Sequence, residues 1–270
     1  MSGFYDILSI RNPAVKELFR LRIGRRRART ERGQCLVRGQ KMIHSLGEHF
    51  KFEKVYTHKP RETFGSYNAD RVLRTPKHVL QHILLGPKAE ANHLDDDDFV
   101  LGTIQQPTAV QEFAAPQRLL AVDRVKHPEN MGLLLSSAVA LKFDGLVFSA
   151  ECVDPFSYKV LEASQAVAWT LPYRYASTTE LAEVCRRHHL LLCAASTSGQ
   201  ALSTLPVPSS EQSGFCLAIG NEAAGVREDL LRLCTQVTLP MSELVESLNA
   251  GVAGGILMHA LTRSWIQKKK

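Results

Sequence analysis

The feature that most constrains this chain is the alternation, between residues 119 and 265, of short continuous apolar runs with stretches of helical periodicity. Residues 119–122, 145–149, 190–195, 215–220 and 236–240 are too short for helices and lack a polar alternation. Runs of this kind are strands buried on both faces, as in a parallel sheet covered by helices. The segments between them, at 130–141, 158–168, 179–188, 228–233 and 250–265, supply the helices. The expected class is therefore α/β. Ligands of such sheets bind beyond the carboxyl ends of the strands.

The first part of the chain also reads as α/β, on a smaller scale. Asn12-Pro13 opens a helix with Val15, Leu18 and Phe19 at helical spacing. Cys35-Leu36-Val37 and residues 54–57 look like strands, and Met42, Ile43 and Leu46 share a helical face after Gly39. Gly102, Pro107 and Pro116, with Gln105-Gln106, mark a polar connection. The division expected is a first domain over 1–105, a linker over 106–117 and a second domain over 118–270.

Composition excludes several classes. The chain is 44% hydrophobic and 22% charged, close to the globular average and far from a disordered one. No apolar run approaches the ~20 residues of a membrane-spanning helix, and the first residues lack a secretory pattern. Six cysteines without a CxxC pair read as packed, reduced thiols; a cytoplasmic protein with no membrane association is expected. Asp95–Asp98 reads as a solvated loop, and no metal is assigned.

The net charge of +6 is carried by the N-terminus, where residues 1–41 hold eleven Lys or Arg against three acidic residues. Arg25, Arg26, Arg27, Arg29 and Arg32 are its densest part. Guanidinium groups match phosphate with a planar fork of donors, and a cluster of them gains affinity by releasing counterions from a nucleic acid. RNA contact is expected there. Phe50, Phe52 and Tyr56 are candidates for base stacking, with core packing the stronger expectation.

Three polar segments directly follow strands in the second half. They are Asp123–Gly132, Gly220–Val226 and the stretch from Pro240 to Ala253. None has the glycine pattern of a dinucleotide or nucleotide-phosphate loop. Singly, each has a local explanation: Asn130, Ser247 or Asn249 as a helix cap, Gly225 as a turn.

Together and in order, Pro128-Glu129-Asn130-Met131-Gly132, Ile219-Gly220-Asn221-Glu222-Ala223-Ala224-Gly225-Val226, and Leu239-Pro240-Met241 with Glu246-Ser247-Leu248-Asn249-Ala250-Gly251-Val252-Ala253 resemble the SpoU/TrmH family of RNA ribose 2′-O-methyltransferases, of the SPOUT class. The resemblance covers residues 119–265, and more loosely the first domain through Asn12-Pro13 and Val37-Arg38-Gly39. It implies a C-terminal parallel-sheet domain with a deep trefoil knot, preceded by a smaller RNA substrate-binding domain. Knots are rare, and no pattern argument proposes one. It implies S-adenosylmethionine as cofactor, held by Gly220, Leu239 and Leu248 with backbone near Ala194, Ala195 and Ser196. It implies site residues Asn130, Glu222, Ser247 and Asn249, and a homodimer through the C-terminal domain, for which Gly254 and Gly255 offer close helix packing. The RNA expected is ribosomal before transfer RNA.

One position departs from the family. The arginine to which the family's proton handling is attributed falls six residues beyond the asparagine, and here that residue is Ser136. A serine hydroxyl orients a partner but is a weak base. The departure leaves two readings: a 2′-O-methyltransferase in which another group serves, and a member that binds RNA and cofactor with weak or no methyl transfer.

Overall fold

Helix α1 (Pro13–Ile23) starts where Asn12 accepts a hydrogen bond from the Ala14 N–H at 2.9 Å and Pro13 occupies the first turn. These are the positions where backbone donors lack helical partners. Its Val15, Leu18 and Leu21 are buried. The computed structural model describes residues 5–24, 29, 31–86, 94–201, 212–242, 244–245 and 247–268. These form two compact units, one running to Pro107 and including Phe156–Ala166, the other comprising Thr108–Pro155 and the chain from Val167 onward.

In the first unit, strands β1 (Gln34–Arg38), β2 (Phe52–Thr57), β3 (Ala69–Arg74) and β4 (Val100–Gln105) make a sheet in the order β1-β4-β2-β3. β4 runs antiparallel to both neighbours, and β2 and β3 are parallel. Helices α1 and α3 (Lys77–Leu85) cover one face through Val15, Leu18, Val79, Leu80 and Ile83. Helix α2 (Gln40–Gly47) contributes the buried Ile43 and Leu46.

One reading of this half is corrected. Gly102 does not break the chain: it sits within β4, where a Cβ would lie 2.6 Å from the Phe52 ring. The missing side chain makes room for a core aromatic, which is why a central strand looked like a polar connection. Asp95–Asp98 lies at the solvent-exposed surface as expected, and its carboxylates also make surface ion pairs. Asp96 accepts from His58 at 2.9 Å and pairs with Lys77, and Asp97 pairs with Lys59 at 2.9 Å.

The helical stretch expected at 158–168 is shorter. Helix α5 (Tyr158–Ser164) ends where Gln165 and Ala166 adopt φ of 53° and 54°, a conformation no helix continues through. Tyr158 lies in the core of the first unit, and Glu162 pairs with Arg38 at 2.6 Å.

The second unit is a parallel sheet of β5 (Arg118–Val122), β6 (Gly145–Phe148), β7 (Tyr173–Tyr175), β8 (Leu190–Ala201), β9 (Gly214–Ile219) and β10 (Thr235–Thr238), in the order β10-β8-β9-β5-β6-β7. Every ladder is parallel. Helix α6 (Thr178–Arg187) packs Leu181 and Val184 on one face, against Ala121, Leu192 and Ala218. On the other, α4 (Pro128–Ala140) and α8 (Ala250–Lys268) meet over Ile219, where a Cβ on Gly254 would lie 2.2 Å from Leu134 Cδ2. α7 (Glu228–Leu231) is a single short turn before β10.

All six cysteines are free. Burial pushes the Cys193 and Cys234 thiols up to about 12, so they stay protonated and pack as small apolar groups. Among the described residues no helix is long and apolar enough to cross a membrane.

Candidate active site

In the second unit the strand order turns back between β5 and β9. β6 and β7 extend from β5 on one side, and β8 and β10 from β9 on the other. A crevice beyond the carboxyl ends at such a reversal is where α/β sheets hold ligands. A cavity of ≈ 380 Å³ opens to one side of that reversal, against β8 and beyond the carboxyl ends of β9 and β10, lined by Ala195, Ser196, Gly220, Glu222, Leu239 and Leu248 among others. Its size falls in the ordinary range for small-molecule sites, about 300–1,000 Å³.

One wall is the loop after β9. Asn221 N–H donates to the Gly225 carbonyl and Gly225 N–H to the Asn221 carbonyl, both at 2.9 Å. Gly225 has φ +65°, and Asn221 Oδ1 accepts from the Ala223 and Ala224 N–H groups at 3.0 Å. The loop closes so tightly that a Cβ on Gly220 would lie 2.1 Å from Gly225 backbone. Only glycine leaves the backbone room to pass.

Glu222 projects from this loop. Its Oε1 accepts from Asn130 Nδ2 at 2.9 Å and from His127 N–H at 3.2 Å; its Oε2 accepts from Asn221 Nδ2 at 3.2 Å. Burial alone would push its carboxyl up, but the hydrogen bonds from Asn130 and from backbone N–H groups outweigh it and hold the carboxyl below its ordinary range. Asn130 Oδ1 then accepts from Asn249 Nδ2 at 2.7 Å, and Asn249 Oδ1 accepts from Gly251 N–H at 2.9 Å, capping α8. The chemistry dictates each amide's orientation. An ionised carboxylate only accepts, so Asn130 must present its NH₂ to Glu222 and its oxygen to Asn249, whose own oxygen is left for the helix. One chain of donors thus ties the starts of α4 and α8 to the loop after β9.

A second cluster anchors that loop. Asp123, buried at the end of β5, accepts from Arg227 N–H at 2.9 Å, Arg227 Nε at 2.8 Å and Arg124 Nε at 3.2 Å. Arg227 also reaches Glu151 at 3.0 Å. Its guanidinium is held above its ordinary range by the Asp123 hydrogen bond, against the opposing effect of burial. Arg124 is held at φ +57°, its N–H donating to Ser149 and its carbonyl accepting from Asn221.

The structure sorts the expected residues. Ala195, Ser196, Gly220, Glu222, Leu239, Ser247 and Leu248 line the cavity. Ala194 does not: it is fully buried in the core between the sheet and α6, because neighbours along a strand face opposite sides. Asn130 and Asn249 stand behind Glu222. Asn130 is not the cap of its helix; His127 holds that position. Ser136 is half-buried on α4. Gly254 and Gly255 pack on α4 of the same chain, near Leu134 and Ser137, so their closeness is already used within the protomer.

Of the basic cluster, Arg25, Arg26 and Arg27 lie outside the described residues. Arg29 is only 2% exposed and donates to the Gly24 carbonyl, which turns it away from any phosphate. Arg32 pairs with Glu17 at 3.0 Å. Phe52 and Tyr56 are core residues. Sequence reasoning missed Asp123, Arg227 and the structural part of Asn221. Asn221 stood inside a recognised motif, but nothing local linked Asp123 to an arginine 104 residues away.

The model of the SpoU rRNA Methylase family matches residues 117–259. The chain belongs to this family. An uncharacterized tRNA/rRNA methyltransferase of Synechocystis sp. is 29% identical over 97% of this chain and 95% of its own length. The 23S rRNA (uridine(2479)-2′-O)-methyltransferase of Streptomyces viridochromogenes is 25% identical, over 90% of this chain and 88% of its own. Among solved structures, an AdoMet-bound rRNA methyltransferase from Sinorhizobium meliloti shares the fold with a TM-score of 0.78 at 22% identity, covering 95% of this chain and 97% of that one.

Proposed function

We propose that this protein transfers a methyl group from S-adenosylmethionine to the 2′-oxygen of a ribose in structured RNA, ribosomal RNA before transfer RNA. The observation that carries this is the Asn130–Glu222–Asn249 network at the edge of the cavity beyond β9 and β10, in a chain of the SpoU family.

The residues present fit the cofactor. Ile219, Leu239, Leu248 and Leu257 give the cavity apolar walls suited to an adenine. Gly220 keeps the backbone close, and the ionised Glu222 supplies negative charge for a cationic ligand. When bound, S-adenosylmethionine supplies an electrophilic methyl on a positively charged sulfur. The protein's share is to exclude water, to orient the ribose oxygen toward that methyl and to receive its proton. Orientation provides much of the acceleration in such transfers. Asn130 and Asn249 hold the loops in register for it, with Ser247 on the cavity wall. Ser136 can orient a hydroxyl without removing its proton, so proton removal falls to another group. Relatives named as 2′-O-methyltransferases favour turnover over a purely binding role.

We assign RNA capture to the first domain, residues 1–105, with Arg25, Arg26 and Arg27 as phosphate contacts, and methyl transfer to residues 118–270, with a trefoil-knotted path. The chain pairs as a homodimer through α8 and α4. With the glycines facing inward, the surface left for pairing is apolar: Leu133, Val252 and Ile256 are each about 45% exposed. Six free cysteines without a disulfide framework favour a reducing compartment, the cytoplasm. The test is calorimetry with S-adenosylmethionine together with transfer of its tritiated methyl to total RNA. Micromolar binding, about −8 kcal/mol, with RNA labelling is expected; no cofactor binding would remove the proposal. A monomer in sedimentation at micromolar concentration would remove the dimer.

A further inference from the structure

In the first unit, α1 and α3 border a groove of ≈ 250 Å³ lined by Ile10, Val15, Lys16, Phe19, Arg20 and His82. Its floor is the buried Val15. The Phe19 and His82 rings stand with centroids 6.1 Å apart and planes only 24° from parallel, and the Arg22 guanidinium lies 5.8 Å from the Phe19 ring centre. The two near-parallel rings line the groove, and Arg22, which does not line it, lies over the Phe19 ring. Phe19 and His82 are each half-buried, so part of each ring stays accessible. Lys16 and Arg20 lie one turn apart on α1 and are exposed at the rim. Glu17, the acidic residue of that helix, is engaged by Arg32 at 3.0 Å, so it does not cancel the two cations.

We propose that this groove binds a single unstacked RNA base on the Phe19–His82 platform, with the adjoining phosphates on Lys16 and Arg20. Aromatic and guanidinium planes that stack a splayed base, beside cations that follow the backbone, are the means by which proteins read single-stranded RNA. A duplex exposes no base face to such a platform, and an acidic peptide would use the cations but leave the platform empty. The inference rests on the RNA reading above and deepens it: the first unit selects RNA that offers an unstacked base.

The test uses the full chain and two fluorescent probes, a ten-nucleotide oligoadenylate and an abasic ribose-phosphate strand of equal length. Phe19→Leu keeps the apolar volume and removes the ring. It is expected to weaken oligoadenylate binding between about fivefold and a hundredfold, the range for loss of one stacked base, and to spare the abasic strand. Phe19→Trp is expected to restore affinity. Replacing Lys16 and Arg20 by glutamine is expected to lower the log–log salt slope for both probes by roughly one and a half units. Unchanged oligoadenylate affinity in Phe19→Leu, or an equal loss on both probes, would overturn the groove alone. A wild-type chain that binds neither probe would overturn the groove and the RNA reading together.

Discussion

Asn130 joins three parts of the chain through one amide, accepting from Asn249 and donating to Glu222. It is 5% exposed, so deleting it leaves two polar partners facing a gap. Asn130→Ala is expected to cost about 1–3 kcal/mol, the usual loss for an unsatisfied buried group. The effect has a pH signature. Glu222 has a carboxyl held below its ordinary range, so it contributes stability above its unfolded pKa and loses it as pH falls through the folded value. The gap between wild type and Asn130→Ala in urea melts should therefore be widest near neutrality and shrink in acid, and the Glu222 carboxyl should titrate higher in the variant by carbon NMR. A constant gap at all pH values would show that Asn130 acts by packing alone. Ser136 makes a second prediction at this scale: Ser136→Arg should raise the methylation rate, since a positioned proton-handling group contributes ~10²–10⁴-fold. An unchanged rate would mean that another residue already fills that role. Asn130 was legible in the sequence as part of a motif. Glu222 and Asn249 were legible too, as members of the other two motifs, but their bonds to Asn130 were not, because the two residues lie 92 and 119 residues away and no local pattern pairs residues at that distance.

At the scale of elements, α8 shows how one helix reads two ways. Its glycines suggested a surface for a second copy, yet they admit α4. A Cβ on Gly254 would meet Leu134 at 2.2 Å, whereas one on Gly255 would lie 3.2 Å from the Ser137 hydroxyl. Gly254→Ala should lower stability by about 1–3 kcal/mol through overpacking. Gly255→Ala should be close to neutral, because alanine's better helix propensity, roughly 1 kcal/mol, offsets a small adjustment. Thermal melts of the two variants check the order, and equal midpoints would contradict this packing. The strands of the second half were legible because they are continuous apolar runs. β3, β4 and β7 were not: β3 carries Asp70, Arg71 and Arg74, β4 contains Gly102, and β7 is only three residues long. Ala194 and Ala195 were likewise inseparable by composition, and only the pleat decides which faces the cavity.

For the whole molecule, the parallel sheet follows from the alternation of apolar runs; its strand order, and the meeting of the three polar loops through Asn130, Glu222 and Asn249, do not. The tight Gly220–Gly225 loop makes the cavity depend on one missing side chain. Gly220→Ala, whose Cβ would fall 2.1 Å from Gly225 backbone, should weaken S-adenosylmethionine binding at least tenfold by calorimetry while the far-ultraviolet spectrum of the sheet persists; full affinity would place the cofactor elsewhere. The central claim, methyl transfer to a ribose oxygen, has its most direct test in the product. Ribosomal RNA from cells lacking this protein should be incubated with the purified chain and S-adenosylmethionine carrying a deuterated methyl, then digested to nucleosides and analysed by mass spectrometry. The account predicts the label on the ribose of one nucleoside, absent when the chain is omitted. Label on a base, or no label in any RNA fraction, would contradict it.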